Sequence, residues 1–155
     1  MNSKELHMSR ASCLPRSHER GLSLIEVLVA IVIISLGLLG MAGLQAASLR
    51  TSQSAFYRAQ AAQFANDMAE RMRANLGDAR NYTLAMTDTA PAGASVRDRD
   101  RADWLARIAT LPAGDGSIAV DLASNTVTIA VQWDDSRAGG ATNANYTLVT
   151  RLWNN

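Results

Sequence analysis

Beyond Gly21 the sequence contains no cysteine, no histidine and no lysine; Cys13, His7, His18 and Lys4 all precede it. For residues 22–155 this removes disulfides, thiolate nucleophiles, histidine-based triads, the usual zinc sites, Schiff-base lysines and a phosphate-loop lysine. Carboxylates, hydroxyls and arginines are what remain for chemistry. That inventory argues against an enzyme and implies no cofactor and no metal. Proline is scarce as well: after Pro15 the next is Pro91, so no proline interrupts a helix between them. Charge is absent from a long stretch, with none between Glu26 and Arg50. The net charge of +1 lacks the basic excess of a nucleic-acid binder.

The charge that is present is unevenly spread. Residues 1–20 carry Lys4, Arg10, Arg16 and Arg20 against Glu5 and Glu19, a net of +2, whereas the remainder holds 11 Arg against 12 acidic residues. A basic flank before an apolar helix marks the cytoplasmic side, so the N-terminus stays in and the bulk of the chain is exported. Residues 1–20 are polar, mixed in charge and without periodicity, and read as a disordered leader in which Met8 serves as well as Met1 for a start. Cys13 follows Arg10-Ala11-Ser12 with no apolar region before it, which disfavours a lipoprotein anchor.

Residues 22–49 form an apolar run long enough to cross a bilayer as one helix, which needs roughly 20 residues. Glu26 sits inside it, where a charged side chain costs about 2.5–3.5 kcal/mol on insertion scales. That carboxylate calls for a cation. Gly37, Gly40 and Gly43 recur every third residue, which suits small-residue packing against another helix and also weakens the helix locally. From Arg50 the pattern turns amphipathic. Phe56, Tyr57, Ala61, Phe64, Ala65, Met68, Met72 and Leu76 fall on one broad face, and Gly77 is placed for a C-cap after Arg71 and Arg73. One helix is therefore predicted from Leu24 to Leu76, on the order of 80 Å long at about 1.5 Å per residue. Residues 78–96 show little periodicity and read as a loop. A short helix is expected over Asp98–Ala109, ended by Pro112 and a turn at Gly114-Asp115-Gly116-Ser117. Three strands follow, at Ile118–Leu122, Thr126–Trp133 and Tyr146–Trp153, the first two joined by Ala123-Ser124-Asn125. The expected fold is α+β: the long N-terminal helix lays its Phe64–Met68–Met72 stripe on a small antiparallel sheet of about three strands.

Three constellations merit a chemical reading. Asp98, Asp100 and Asp103 alternate with Arg97, Arg99 and Arg101, and interleaved arginines repel a cation, so a solvated helix start with internal ion pairing is favoured over calcium. Asp134 and Asp135 are neighbours in an extended segment and point to opposite sides, which suits a turn better than shared acid–base work. Trp104, Trp133 and Trp153 are read as core packing rather than a sugar-stacking platform.

The sharpest motif is Arg20-Gly21-Leu22-Ser23-Leu24-Ile25-Glu26 leading into Val27-Leu28-Val29-Ala30. It resembles the type IV pilin-like family, whose precursors carry a basic leader ending in Gly before a transmembrane helix with Glu in fixed register. The segments Ala65-Asn66-Asp67-Met68-Ala69-Glu70-Arg71 and Val131-Gln132-Trp133-Asp134-Asp135-Ser136-Arg137 look like those of PilV-type minor pilins, the type IV pilus modification proteins. The resemblance implies a leader (residues 1–21) cut by prepilin peptidase between Gly21 and Leu22, with methylation of the new Leu22 amine. It implies a transmembrane assembly helix (22–49) and a periplasmic globular domain (50–155) that includes the amphipathic half-helix 50–76. Glu26 would set the subunit's register by meeting a terminal amine, within one chain or between two. Leu22 stands where major pilins usually have Phe, a change that processing should tolerate but that bears on methylation, and the paired-Cys loop common in major pilins is missing, which favours a minor subunit.

The implied function is structural: a minor pilin in the inner membrane and then the pilus, priming assembly or forming the tip, with roles in adhesion and twitching motility. Implied partners are other minor pilins, the major pilin and a PilY-type tip adhesin, with no nucleic acid. A minor pseudopilin of a type II secretion system shares the leader, helix and processing. A membrane-anchored periplasmic binding protein is the alternative of another class, against which stand an apolar run longer than a signal core and the unexplained Glu26.

Overall fold

A computed structural model describes residues 23–152. It contains two compact units, one ending at Met41 and the other starting at Ala42. Helix α1 (Leu24–Ala74) supplies residues to both.

In the first unit every described residue is exposed, including Leu24, Ile25, Leu36 and Leu39. A helix apolar on all sides with no described residue packed on it suits a non-aqueous surrounding, and α1 is long and apolar enough to cross a membrane. The polar hydroxyl of Ser35 is satisfied by the helix itself, donating to the Ile31 carbonyl at 2.7 Å.

The second unit is built on the remainder of α1, helix α2 (Val96–Ile108) and strands β1 (Asp115–Asp121), β2 (Thr126–Trp133) and β3 (Ala144–Arg151). The sheet is antiparallel in the order β1-β2-β3, with Ile118 opposite Ile129 and Ile129 opposite Leu148. Helix α1 packs on this sheet, giving the α+β arrangement expected from the sequence. Along β2, Val127, Ile129, Val131 and Trp133 are buried and alternate with half-buried neighbours, as a period of two requires. Against them lie Ala61, Phe64, Ala65, Met68, Ala69 and Met72 of α1. The small residues among these let the helix backbone approach the sheet.

The predicted stripe overruns this contact at both ends. Phe56, 61 % exposed, precedes the first buried residue, Ala61, by more than a turn, and Leu76, 48 % exposed, falls after the helix has ended. Gly77 does not supply a left-handed cap, since Gly139 is the one described glycine with positive φ. Instead the chain tightens: the Asn75 amide is shared between the Arg71 and Met72 carbonyls, and Asp78 and Ala79 donate to Asn75 and Leu76. The expected turn at Gly114–Ser117 lies earlier. Gly114 donates to Leu111, Ala113 takes the left-handed φ of 47°, and Asp115 already opens β1. At the following hairpin Asn125 takes φ 56°, while Asp121 accepts from Ala123 and Ser124. β3 runs from Ala144 rather than Tyr146, and Trp153 lies outside the described residues.

The segment expected to be a plain loop holds core residues. A 3-10 turn at Ala79–Asn81 leads to Tyr82, which is fully buried, and to Leu84, whose N–H and C=O both pair with Ile118 at 2.9 Å. This bridge covers part of the β1 edge, which an exposed sheet would otherwise leave open to pairing. α2 is closed at its start by the Ser95 hydroxyl, which accepts from the Asp98 amide at 3.1 Å. Its Trp104 is fully buried and donates from Nε1 to the Phe64 carbonyl at 2.9 Å, fastening α2 to α1.

Gly116 of β1 lies directly under Trp104 and Ile108. A Cβ there would stand 2.5 Å from Trp104 Cη2 and 2.8 Å from Ile108 Cδ1, and both side chains are fixed in the core. Gly116→Ala is therefore expected to lower stability by about 1–3 kcal/mol through overpacking. Thermal denaturation of the detergent-solubilised chain checks this; an unchanged midpoint would show that Trp104 moves aside freely.

Candidate functional site

Gly21 and Leu22, the residues of the expected cleavage and methylation, lie outside the described residues. Glu26 lies in the first turn of α1, whose start is marked by Ser23: its carbonyl accepts from the Glu26 amide at 2.9 Å and the Val27 amide at 3.2 Å. A carboxylate in this turn faces the positive end of the helix dipole. The Glu26 side chain is exposed, and among the described residues no cation or donor meets its carboxylate.

Among the described residues no group of three or more His, Cys, Asp or Glu is placed to hold an ion, the Arg/Asp run of α2 included. Part of this run pairs internally, as expected. Asp98 meets Arg101 at 2.7 Å and Arg97 at 3.3 Å, and Ser95 followed by Arg101 holds its carboxyl down to about 2. Asp100 departs from the solvated reading. It accepts from the Tyr82 hydroxyl at 2.6 Å and from Arg71 of α1 at 3.2 Å, while Asn75 donates to the same Tyr82 oxygen at 3.0 Å. Arg71 also pairs with Asp67 at 3.0 Å, and Asp67 with Arg107 of α2 at 2.7 Å. Arg107 in turn stands 5.3 Å from the centre of the Phe64 ring. Charged and aromatic side chains thus tie α2 to α1 across their solvent-facing margin.

Asp134 and Asp135 separate as their adjacency predicts. Asp134 accepts from the Ser136 amide at 2.9 Å in the turn, and Ser136 lowers its pKa. Asp135 does more than turn the chain. Its residue is only 5 % exposed, and its Oδ2 accepts from the Ser54 hydroxyl of α1 at 2.5 Å. The signal was in the alternation, since the inward parity of Val127 to Trp133 continues to 135. The Asp135 carbonyl accepts from Ala138 and Gly140, and its amide donates to Ala141, closing a compact loop. Gly139 takes φ 87° there, and a Cβ on Gly140 would strike the Asp135 carboxylate. Oδ1 of Asp135 is buried without a hydrogen-bond partner. Beside this contact a groove of about 380 Å³ runs between Thr51, Ser54, Ala55 and Arg58 of α1 and residues 138–140. Trp104 and Trp133 are both core residues, as expected for packing.

Residues 16–42 match the family model of the prokaryotic N-terminal methylation motif. No curated protein and no solved structure gives a significant match to the chain. The motif supports a type IV pilin-like protein, a class of structural subunits whose members include pilins and pseudopilins. It implies processing by prepilin peptidase and assembly with other pilins, and together with the apolar start of α1 it fits a membrane-anchored pilin.

Proposed function

We propose that this chain is a minor pilin of the PilV type, joining other minor pilins and the major pilin to prime the type IV pilus or form its tip. The observation that carries the reading is the methylation motif over residues 16–42 running into an apolar helix that continues into a sheet-packed half. Cleavage after Gly21 creates a new amine on Leu22, four residues before Glu26. A carboxylate with no partner in its own described chain then meets a cation, either from its own N-terminus or from a neighbouring subunit's. The globular unit remains on the periplasmic side until assembly, and adhesion and twitching motility follow from a place at or near the tip beside a PilY-type adhesin.

Intact mass of the protein taken from cells is expected to show loss of residues 1–21 and one added methyl on Leu22. An unprocessed N-terminus in cells with active prepilin peptidase would overturn the pilin reading. Crosslinking in the membrane with identification of the captured chains separates pilus from secretion system: pilins and a pilus-tip adhesin support the proposal, and secretion-system pseudopilins replace it.

A further inference from the structure

We propose that the groove between residues 51–58 of α1 and the 138–140 loop holds the headgroup of a phospholipid bearing a primary ammonium, such as phosphatidylethanolamine. The inference rests on the membrane-anchored reading above. Ser54 and Thr51 both line the groove, and both have spent their protons elsewhere: Ser54 donates to Asp135 and Thr51 to the Ala47 carbonyl at 3.1 Å. A hydroxyl whose hydrogen is engaged offers only lone pairs to a ligand. The two side chains therefore present acceptors, and the ligand group they suit is a donor.

The charges around the groove specify that donor further. Behind Ser54 stands the Asp135 carboxylate, nearly wholly buried, with one oxygen unpartnered and no cation paired to it among the described residues. A buried carboxylate without a counter-charge is costly, and an ammonium on Ser54 supplies one through the hydroxyl. Arg58 lines the same groove, exposed, and has no ion-pair partner among the described residues. It provides donors for an anion. One negative and one positive group side by side fit a zwitterion, with its ammonium on Thr51 and Ser54 and its phosphate on Arg58.

The position along α1 points to the membrane as the source. The uncharged run ends at Leu49, and at about 1.5 Å per residue Thr51 and Ser54 stand roughly 3–8 Å beyond it. The headgroup layer on one side of a bilayer is about 5–8 Å deep. Arg58 lies further out, but helical side chains lean toward the N-terminus, which returns its guanidinium toward that layer. Arg50 and Arg58 are the only charged residues between Val27 and Asn66, so no acidic side chain of this stretch repels a phosphate.

The test places the processed full chain in nanodiscs of equal parts phosphatidylethanolamine, phosphatidylcholine and phosphatidylglycerol, and reads the lipid it retains by native mass spectrometry. Phosphatidylethanolamine is expected to be enriched about fivefold over the bulk mixture, the factor one net hydrogen bond supplies. Phosphatidylcholine has the same phosphate but no N–H, and phosphatidylglycerol has no cation. Arg58→Ala is expected to abolish the enrichment. Asp135→Asn keeps an acceptor for Ser54 but removes the charge, and is expected to shift retention toward phosphatidylglycerol. Equal retention of the three lipids, or preference for phosphatidylglycerol by the unaltered chain, overturns the proposal while leaving the anchor intact. A chain that fails to enter the nanodisc overturns the membrane-anchored reading, and this inference with it.

Discussion

Glu26→Ala leaves leader removal intact and cuts incorporation into pili by about tenfold or more. On the proposed reading the peptidase acts at Gly21–Leu22, where the expected requirements are a small residue before the bond and an apolar helix after it, and neither changes. Assembly differs, because in a lipid-like helix bundle Glu26 and a terminal amine each need the other. One charge-assisted hydrogen bond contributes about 1.5–3 kcal/mol, which covers at least a tenfold change in partition. With the proposed processing, removing the carboxylate would also strand the amine of Leu22, so the loss includes the cost of an unpaired charge. Glu26→Gln separates the two parts: it keeps size and an acceptor oxygen but no charge, and is expected to fall between the wild type and Ala. Immunoblots of sheared pili against membrane fractions measure both. Equal pilus number and equal incorporation in Glu26→Ala would remove the charge-pairing role and leave Glu26 unexplained.

The features legible in the sequence were those governed by local periodicity or by a cost that no local partner relieves. β2 declares itself by four apolar residues at spacing two, and α1 by apolar spacings of three and four with no proline to stop them. Glu26 stands out because a charge in an apolar run has to be accounted for. Tyr82 and Leu84 were hidden for the opposite reason. Two isolated apolar residues in a segment of Thr, Ala and Gly carry no period, and their burial depends on Ile118 and Asp100, far along the chain. Asp100 itself reads as one acid among alternating charges, and only the packing of α2 on α1 selects it from Asp98 and Asp103. Asp135 lies between these cases: its adjacency to Asp134 suggests a turn, but the parity it inherits from Trp133 sends it inward.

That selection gives Asp100→Ala the largest expected effect on folding of any exposed-looking charge in the chain. Tyr82 is fully buried and its hydroxyl donates to Asp100, so the substitution leaves a buried donor without an acceptor. The same change takes one of two close carboxylates from Arg71, which keeps Asp67 at 3.0 Å. An unsatisfied buried hydroxyl costs about 1–3 kcal/mol and the weakened, partly solvated ion pair somewhat less than a fully buried one, so a loss of about 2–4 kcal/mol is expected. Domain stabilities are about 5–15 kcal/mol, and the variant should unfold at markedly lower denaturant. Tyr82→Phe removes donor and demand together and should cost only about 1 kcal/mol, and adding Asp100→Ala to it should cost less than Asp100→Ala alone. A pH dependence accompanies the same contact. Burial, and then the hydrogen bond to Asp100, push Tyr82 from 10.0 to about 12. Above pH 10 the unfolded chain releases this phenol proton while the folded chain keeps it until about 12. The folded state then binds more protons, and stability falls as pH rises across that interval. Denaturant titrations at rising pH should show this slope in the wild type and its loss in Tyr82→Phe. An Asp100→Ala variant as stable as the wild type would mean that solvent, rather than Asp100, satisfies the Tyr82 hydroxyl, and that contacts such as those of Trp104 and Arg107 suffice to hold α2 to α1.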